Sequence, residues 1–253
     1  MPSLLRCRGP DLIAFRQIRG RFMVAKLDES LLQDVGPFRR LDRGQIREIL
    51  DLATARRFDE GAAVFREGHP AERFHLLLDG VIRVMRITAE GTAVTALHIP
   101  SGQLFGIARA LRRESYPATA ICARDCLTLS WPMSLWDGFT ARYDGFAEEG
   151  YRTVGTRVGE MNARLIEMAT QQVQQRVAGA LLRLIAQSGR EVEAGIEIAF
   201  PVTRQDISDM TGTTLHSVSR LLSAWEKAGI VASRRRHVTV TDPQRLGLIG
   251  DGR

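Results

Sequence analysis

Between Ala55 and Pro132 the chain consists of short segments in which apolar and polar residues alternate. Each segment has four to eight residues and is bounded by a glycine turn, and these turns recur every eight to twelve residues. A period of two is typical of β-strands, and regularly spaced turns favour an antiparallel barrel or sandwich. We therefore predict a small β-roll, which encloses either one ligand or only packed side chains.

Helical patterns flank this predicted roll. A helix is expected over 28–38, a second begins at Asp42, and a third covers 133–143. The longest runs from Phe146 to Thr170, and its apolar residues alternate in steps of four and three: Ala147, Tyr151, Val154, Val158, Met161, Leu165 and Met168. A strict heptad seam of this kind lets two copies pair as a parallel coiled coil, whereas a monomer's surface helix shows a broader stripe. We predict a homodimer, with the six residues from Tyr151 to Met168 in this list as its interface.

The stretch from Thr203 to Ile230 has the pattern of a helix-turn-helix. A helix over 171–188 and a strand over 197–200 lead into it, and Thr203 is its expected N-cap. Gly212 supplies the corner between two short helices, because glycine readily adopts a positive φ. The second helix should point five apolar residues inward: Leu215, Val218, Leu221, Leu222 and Trp225. A basic hairpin and an alternating strand follow, so we predict a winged helix-turn-helix; a helical hairpin without a DNA role is the alternative.

The predicted second helix offers polar side chains to a DNA major groove. Arg220 can donate two hydrogen bonds to guanine, and Ser219 can contact thymine, which favours a TTG-like core in the DNA site. The candidates for contacts on this helix are Thr214, His216, Ser217, Ser219 and Arg220. Thr203, Arg204 and Gln205 at the start of the first helix, and Arg234, Arg235 and Arg236 in the wing, are candidates for phosphate contacts.

Composition sharpens this picture only slightly. The 253 residues carry a net charge of +6, but residues 1–26 contribute +5 of it and residues 195–253 only +2. The DNA-binding prediction therefore rests on the helix-turn-helix pattern. The predicted fold class is α+β, in four parts: a basic tail over 1–26, for which disorder is one interpretation, a sensor β-roll over 27–144, a dimerisation helix over 145–170 and a DNA-binding domain over 171–253.

The three cysteines, Cys7, Cys122 and Cys126, do not form a disulfide framework, nor do they supply the four thiolates that an iron–sulfur cluster normally needs. Cys122 and Cys126 could form a redox pair, but two half-buried strand cysteines are the simpler interpretation. The chain has no apolar run long enough to span a membrane, and its start lacks the pattern of a secretory signal. We expect a cytoplasmic protein that does not bind membranes.

The order of roll, heptad helix and winged helix-turn-helix resembles the CRP/FNR family of bacterial transcription regulators. The phrases FREGHPAERFHLLLDGVIRV, PSGQLFG and TRQDISDMTGTTLHSVSRLL carry the resemblance, which covers about residues 27 to 245. It implies a homodimer whose roll, of the cyclic-nucleotide-binding type, senses a signal and whose long helix relays it. It also implies that each copy has a C-terminal DNA-binding head. The two heads would bind palindromic double-stranded DNA and recruit RNA polymerase.

The chain departs from the best-known sensors of that family. Cyclic-AMP sensors carry Gly-Glu and then Arg-Ser or Arg-Thr in the roll, and this chain has Gly106-Ile107 and Ala118-Thr119. A phosphate would lack its arginine and the ribose its carboxylate, so cyclic AMP is not expected. The iron–sulfur sensors carry an N-terminal cysteine cluster, of which only Cys7 is present, so that cofactor is not expected either.

The phrases YPATA and TGTTLHSVSRLLSAWE are similar to the nitric-oxide-responsive denitrification regulators of the family, the NNR/NnrR type, with the haem-dependent DNR type as a neighbour. That similarity implies nitric oxide or a related nitrogen oxide as the signal, and it leaves haem open. His98, beside the PSG turn, is the best-placed haem ligand, although a lone strand histidine is more often a hydrogen-bonded core residue. The candidates for the effector pocket are His98, Gly102, Phe105, Gly106, Tyr116 and Thr119.

We thus expect a dimeric, DNA-binding transcription regulator, acting as an activator, and not an enzyme. A constitutive regulator, or one with another ligand, is the first alternative. A cupin-like enzyme joined to a DNA-binding head is the second, but it would need clustered His and carboxylate metal ligands, and no H-x-H pattern occurs. His216 stands where many relatives carry glutamate, so the preferred DNA site should differ beside the TTG-like core.

Overall fold

The computed structural model describes residues 17–18, 21–22, 28–91, 93–143, 145–234 and 236–253. Most of the tail over 1–26, including Cys7, lies outside the described residues, as do Asp144 and Arg235. Two pairs of tail residues are strands, and Phe22 pairs with Ala55 at the edge of the roll. The predicted fold class, a roll followed by helices and a winged helix-turn-helix, is confirmed.

The roll consists of two antiparallel sheets. Its strands are β1 (Gln17–Ile18), β2 (Arg21–Phe22), β3 (Thr54–Phe58), β4 (Ala63–Phe65), β5 (Arg73–Asp79), β6 (Val81–Ile87), β7 (Ala93–Pro100), β8 (Leu104–Phe105), β9 (Thr119–Cys122) and β10 (Cys126–Pro132). One sheet has the order β1-β2-β3-β10-β5-β8 and the other β4-β9-β6-β7. Gly80 joins β5 to β6 with φ of 107°, and a Cβ there would lie 2.7 Å from the carbonyl oxygen of Asp125. Only glycine fits this close turn.

The helix predicted over 28–38 is wrong. Two separate 3-10 turns, Glu29–Leu31 and Gly36–Phe38, take its place. Pro37 has no backbone N–H and stands at the start of the second turn, so it begins a new element rather than ending a longer one. The helix from Asp42 is confirmed as α1 (Arg43–Asp51), with Asp42 as its N-cap.

Aromatic side chains hold the long helix to the roll. A 3-10 turn, Met133–Leu135, runs into α2 (Trp136–Arg142), and α3 (Phe146–Thr170) follows with the predicted bounds. Phe146 at the start of α3 is fully buried, and its ring packs edge-on against Phe139, 5.5 Å between centroids. Such contacts stabilise a core beyond the area they bury, so α3 begins as part of the roll.

The seam of α3 is exposed over most of its length in the single chain. The exposed fractions are 66% for Tyr151, 60% for Val158, 60% for Met161, 66% for Leu165 and 42% for Met168. Val154 is half-buried against the core of the roll instead. A row of large apolar side chains in water is unfavourable, so the pairing of two helices along this seam stays our prediction.

The C-terminal domain has its own core. Its elements are α4 (Val173–Ser188), β11 (Gly189–Val192), β12 (Gly195–Ile198), α5 (Arg204–Thr211), α6 (Leu215–Lys227), β13 (Val231–Arg234), β14 (His237–Val240) and α7 (Pro243–Gly250). The four strands form one sheet, β11-β12-β14-β13.

The predicted strand over 197–200 is wrong in its bounds, and β11 was not predicted. Gly189 is where α4 ends, but it is also the first residue of β11, whose polar GREV sequence gives no strand pattern. Among the described residues no helix is long and apolar enough to cross a membrane.

Replacing Leu165 by Glu should separate the predicted dimer. Each copy would place a charge in the seam and lose a leucine that pairing of the two helices would bury. We therefore expect the dimer dissociation constant to rise at least about 100-fold. Sedimentation equilibrium measures it. Ala163→Ser, a small exposed change at the heptad position opposite the seam, is the control and should leave the dimer intact. A Leu165→Glu variant that stays dimeric at low concentration would place the interface elsewhere.

Candidate DNA interface and effector site

The two helices of the helix-turn-helix begin as the sequence predicts. At α5 the Asp206 N–H donates to Thr203 Oγ1 (3.0 Å), and the Thr203 N–H donates to Asp206 Oδ2 (2.9 Å). At α6 the Ser217 N–H donates to Thr214 Oγ1 (3.1 Å). These bonds satisfy N–H groups that a helix start leaves unpaired. Gly212 turns the corner with φ of 58°.

The face of α6 that would meet DNA is open. His216 and Arg220 are exposed, Ser217 and Ser219 are half-buried, and Val218, Leu222 and Trp225 lie in the core. The inward orientation predicted for Leu215 is wrong: its side chain is 46% exposed, because it occupies the first turn, beyond the edge of the core. Thr214 and Ser217 share a hydroxyl hydrogen bond (3.0 Å), so both also serve the cap.

The three candidates at the start of α5 differ in their freedom to contact phosphate. The Thr203 hydroxyl donates to Asp206 Oδ2 (2.7 Å), and the Gln205 side-chain amide donates to Asp209 Oδ1 (2.6 Å). Arg204 is exposed, and the structure gives it no partner within the part of the chain that it describes. Arg204 is therefore the side chain best prepared for a phosphate.

In the wing, Arg236 has a partner that the sequence did not indicate. Arg234 is exposed on β13, but Arg236 turns back with φ of 70° and pairs with Glu60 of the roll (3.0 Å). A hydrogen bond from the Glu60 N–H to Asp125 fixes the position of Glu60 (2.9 Å). In this conformation Arg236 binds the roll and does not extend along a DNA backbone.

A buried carboxylate joins the DNA-binding head to the roll. Asp206 Oδ1 accepts from Arg83 Nη1 and from the Thr95 hydroxyl, both at 3.0 Å, and Asp209 accepts from the Thr95 N–H at 3.1 Å. Burial raises the pKa of Asp206, but the hydrogen bonds from Thr203 and the nearby Arg83 outweigh it, so the pKa is lowered overall. The sequence marks Asp206 as a capping residue but gives no sign of this second role.

Three of the effector candidates lie in a packed aromatic stack inside the roll. The Phe65 ring stacks on Tyr116 (3.9 Å between centroids) and on Phe105 (6.0 Å), and His75 stacks on Phe105 (4.9 Å). A Cβ on Gly106 would come within 2.9 Å of the Phe65 ring. The sequence did not identify Phe65 or His75 as members of this group, since strands far apart in sequence bring them together.

The other candidates lie elsewhere. His98 and Gly102 line a cleft of about 310 Å³ between the end of β7 and α3, whereas Thr119 accepts a hydrogen bond from the Glu67 N–H (3.0 Å). His98 is buried, and its ring packs at a tilt against Phe200 of the head (4.8 Å between centroids); neither of its ring nitrogens has a hydrogen-bond partner among the described residues. Burial lowers the pKa of His98 to about 4, with Asp206 opposing and Arg83 and Arg164 assisting the shift.

The cleft at His98 does not fit haem. Its imidazole is neutral at pH 7, the form that binds metals, but the walls contain Arg39, Arg152, Arg157, Glu149 and Glu160. A porphyrin needs apolar walls on both faces of its ring. In the described part of the chain no three His, Cys, Asp or Glu side chains are grouped to hold a metal ion. Cys122 and Cys126 are buried, free thiols.

Comparisons with known proteins match both domains. Residues 55–143 match the model of the cyclic nucleotide-binding domain, and residues 175–249 match the Crp-like helix-turn-helix domain. The nitrogen fixation regulation protein FixK of Bradyrhizobium diazoefficiens is 26% identical over 218 residues, 81% of this chain and 86% of the relative. The fumarate and nitrate reduction regulatory protein of Yersinia pestis is 20% identical over 95% of this chain and 96% of its own length. The structure of FixK2 from Bradyrhizobium japonicum superposes with a TM-score of 0.68, at 22% identity, over 78% of this chain and 96% of that one.

Arg220→Ala should relax the choice of one base. Loss of a bidentate contact to guanine costs about 1–3 kcal/mol and should affect one position of the DNA site. Binding to a palindromic duplex and to its single-base variants, measured by fluorescence anisotropy, checks this. Arg253→Ala, at the exposed C-terminus, is the control. An equal loss of affinity on specific and random DNA would show that Arg220 contacts only the backbone.

The free energy of unfolding should fall in mild acid because two histidines are buried in the neutral form. The pKa of His98 is about 4 and that of His75 about 3, both lowered from 6.5 chiefly by burial. The unfolded chain takes up these protons near pH 6.5, so the stabilisation is complete above that pH and is lost as pH falls towards 4. Between pH 6.5 and 5 each histidine should cost about 1.5 kcal/mol.

Urea unfolding at the two pH values measures this difference. His98→Gln should reduce the loss by about 1.5 kcal/mol, while the exposed His69→Gln should leave it unchanged. Equal pH dependence in all three proteins would mean that His98 is not buried in solution.

Proposed function

Since the roll and the helix-turn-helix make this chain a member of the CRP/FNR family of transcription regulators, we propose that it is a cytoplasmic, dimeric activator that binds a TTG-like palindrome. Members of the family bind DNA and act as dimers. The relatives that it matches are transcription regulators, and the chain is not an enzyme. Recruitment of RNA polymerase is part of the proposal.

The observation that carries the proposal is the open face of α6. His216 and Arg220 stand exposed on a helix whose opposite side, with Val218, Leu222 and Trp225, is fixed in the core. A rigid helix with polar side chains in its first two turns suits the major groove. The exposed seam of α3 supports a symmetric pair of such heads, and a symmetric pair reads a palindrome.

We further propose that the signal is nitric oxide or a related nitrogen oxide and that the targets are denitrification genes. The likeness of YPATA and TGTTLHSVSRLLSAWE to nitric-oxide-responsive regulators supports this. Cyclic AMP has no support, because Ile107 is buried in an apolar cluster at the position where the nucleotide sensors carry glutamate. The polar walls of the cleft favour a nitrogen oxide that acts without haem.

Anisotropy with a fluorescent TTG-palindrome duplex tests the function. Protein purified without oxygen should bind it at least ~100-fold more tightly than a scrambled duplex at the same salt concentration. Addition of a nitric oxide donor, or of sodium nitrite, should change that affinity by at least ~5-fold, in the usual range of coupling between two sites.

The outcomes separate the parts of the proposal. Equal affinity for the palindromic and the scrambled duplex would contradict the proposal that the protein is a sequence-specific regulator. Specific binding that neither compound alters would remove the nitrogen-oxide signal and leave the regulator. A spectral change on adding haem, accompanied by a change in operator affinity, would contradict our statement that the cleft does not suit haem.

A further inference from the structure

The cleft between β7 and α3 is separate from the place where nucleotide sensors of this family hold their ligand. Of the positions that correspond to the nucleotide partners, Ile107 belongs to an apolar cluster and Thr119 is bonded to Glu67. Neither lines the cleft, whose walls come from the end of β7, the following turn and the first half of α3, together with Gly36, Arg39 and Gln187. The cleft is therefore an independent cavity on the outside of the roll.

Arg157 is the most unusual side chain in this cleft. Its Nη2 donates to the Leu104 carbonyl oxygen (2.7 Å), and among the described residues its guanidinium has no carboxylate partner and no second acceptor. Burial lowers the pKa of Arg157 to about 10, with Glu160 opposing that shift. The Arg157 side chain is half-buried, and Glu160 of the same cleft acts on its charge without a hydrogen bond, so a bound anion would supply a direct ionic partner.

His98 contributes an unsatisfied group to the cleft. Its side chain is only 8% exposed, it lines the cleft, and both ring nitrogens lack a partner. A neutral imidazole has one N–H, so it can donate one hydrogen bond to an occupant. Buried polar groups in proteins almost always have partners, so the unsatisfied imidazole of His98 indicates a partner that the described part of the chain does not supply.

The charges around the cleft restrict what the ligand can be. Arg39, Arg152 and Arg157 face Glu149 and Glu160, so one positive charge is left over. Arg152 is held by Glu149, whereas Arg157 remains available with a planar guanidinium. A guanidinium binds two oxygens of a planar anion side by side.

From these observations we propose that the cleft is a binding site for a small planar oxyanion with a single negative charge, such as nitrite, nitrate or a monocarboxylate. Arg157 would bind two of its oxygens and His98 would donate to it from the β7 side. The inference rests on the proposed function, because it assigns the signal of the regulator to this ligand class.

The position of the cleft explains how binding of such a ligand would affect the DNA-binding head. Thr153 and Thr156 of α3 line the cleft, and each is two residues from a seam residue, Tyr151 or Val158. The ring of His98 also packs at a tilt against Phe200, which lies in the core of the head. An anion bound here would contact both the dimerisation helix α3 and His98, whose ring packs against the head.

Isothermal titration calorimetry on the full-length protein tests the site. Sodium nitrite, nitrate and acetate are titrated separately, with sulfate as a tetrahedral comparison. We expect at least one planar anion to bind with one site per chain and sulfate to bind at least ~10-fold more weakly. Arg157→Gln should weaken binding of the planar anion by about 10- to 100-fold, since it removes charge-assisted hydrogen bonds.

Further variants keep the result interpretable if Arg157→Gln folds poorly. Arg152→Gln changes a more exposed arginine of the same cleft and should weaken binding by a smaller factor. Arg142→Gln changes an arginine that is exposed on α2, outside the cleft, and should bind the anion normally. No heat from any planar anion, or equal binding by all three variants and the wild type, would overturn the inference.

Operator binding separates this inference from the proposed function. A protein that binds the palindrome but no planar anion remains a regulator without this site. A protein that binds the anion at Arg157 but shows no preference for the palindrome keeps the site and loses the proposed function. Anion binding that shifts operator affinity in the wild type, but not in Arg157→Gln, is the result expected if both hold.

Discussion

The carboxylate of Asp206 connects the two parts of the molecule that have to communicate. One of its oxygens completes the cap at the start of α5, and the other accepts from Arg83 and Thr95 of the roll. The Asp206 side chain is only 5% exposed, so loss of Arg83 would leave a buried charge with fewer partners. Breaking one side of such a pair typically costs about 3–5 kcal/mol. The helix that begins the DNA-binding motif is thus held in place by the sensor domain.

The interior and the outside of the roll have different roles. Inside, Phe65, His75, Phe105 and Tyr116 fill the space with stacked rings, as in an ordinary close-packed core. Outside, the cleft beside α3 contains unsatisfied polar groups and has room for a small molecule. The proposed anion site thus lies on the surface of the roll, while its interior keeps the packing of an ordinary core.

Much of the fold follows from local patterns in the sequence. The heptad steps predicted the bounds of α3. Thr203 marked the start of α5 and Gly212 the corner after it, because capping and positive φ depend on adjacent residues. The sequence failed where local signals conflict: Pro37 divided an expected helix, and the polar β11 gained its strand conformation only from pairing with β12.

The candidate site was harder to predict because it depends on distant parts of the chain. His98 was identified from its place beside a turn, but Arg157 reads in the sequence as an ordinary polar position on a long helix. Its partial burial is visible only when α3 packs on β8, whose Leu104 carbonyl accepts a hydrogen bond from Arg157. The contact of Arg236 with Glu60 likewise joins residues that are remote in sequence, so charge alone could not predict it.

The corner at Gly212 constrains how this regulator can change during evolution. A Cβ at that position would lie 2.9 Å from the terminal methyl of Met168, and the backbone already has a positive φ. Met168 is also the last residue of the exposed seam. A larger residue at Gly212 would displace the end of the Met168 side chain, which belongs to the predicted dimer seam. The corner of the helix-turn-helix and the predicted seam therefore touch, so we expect substitutions at these two positions to be coupled, whereas a change at the exposed His216 can occur alone.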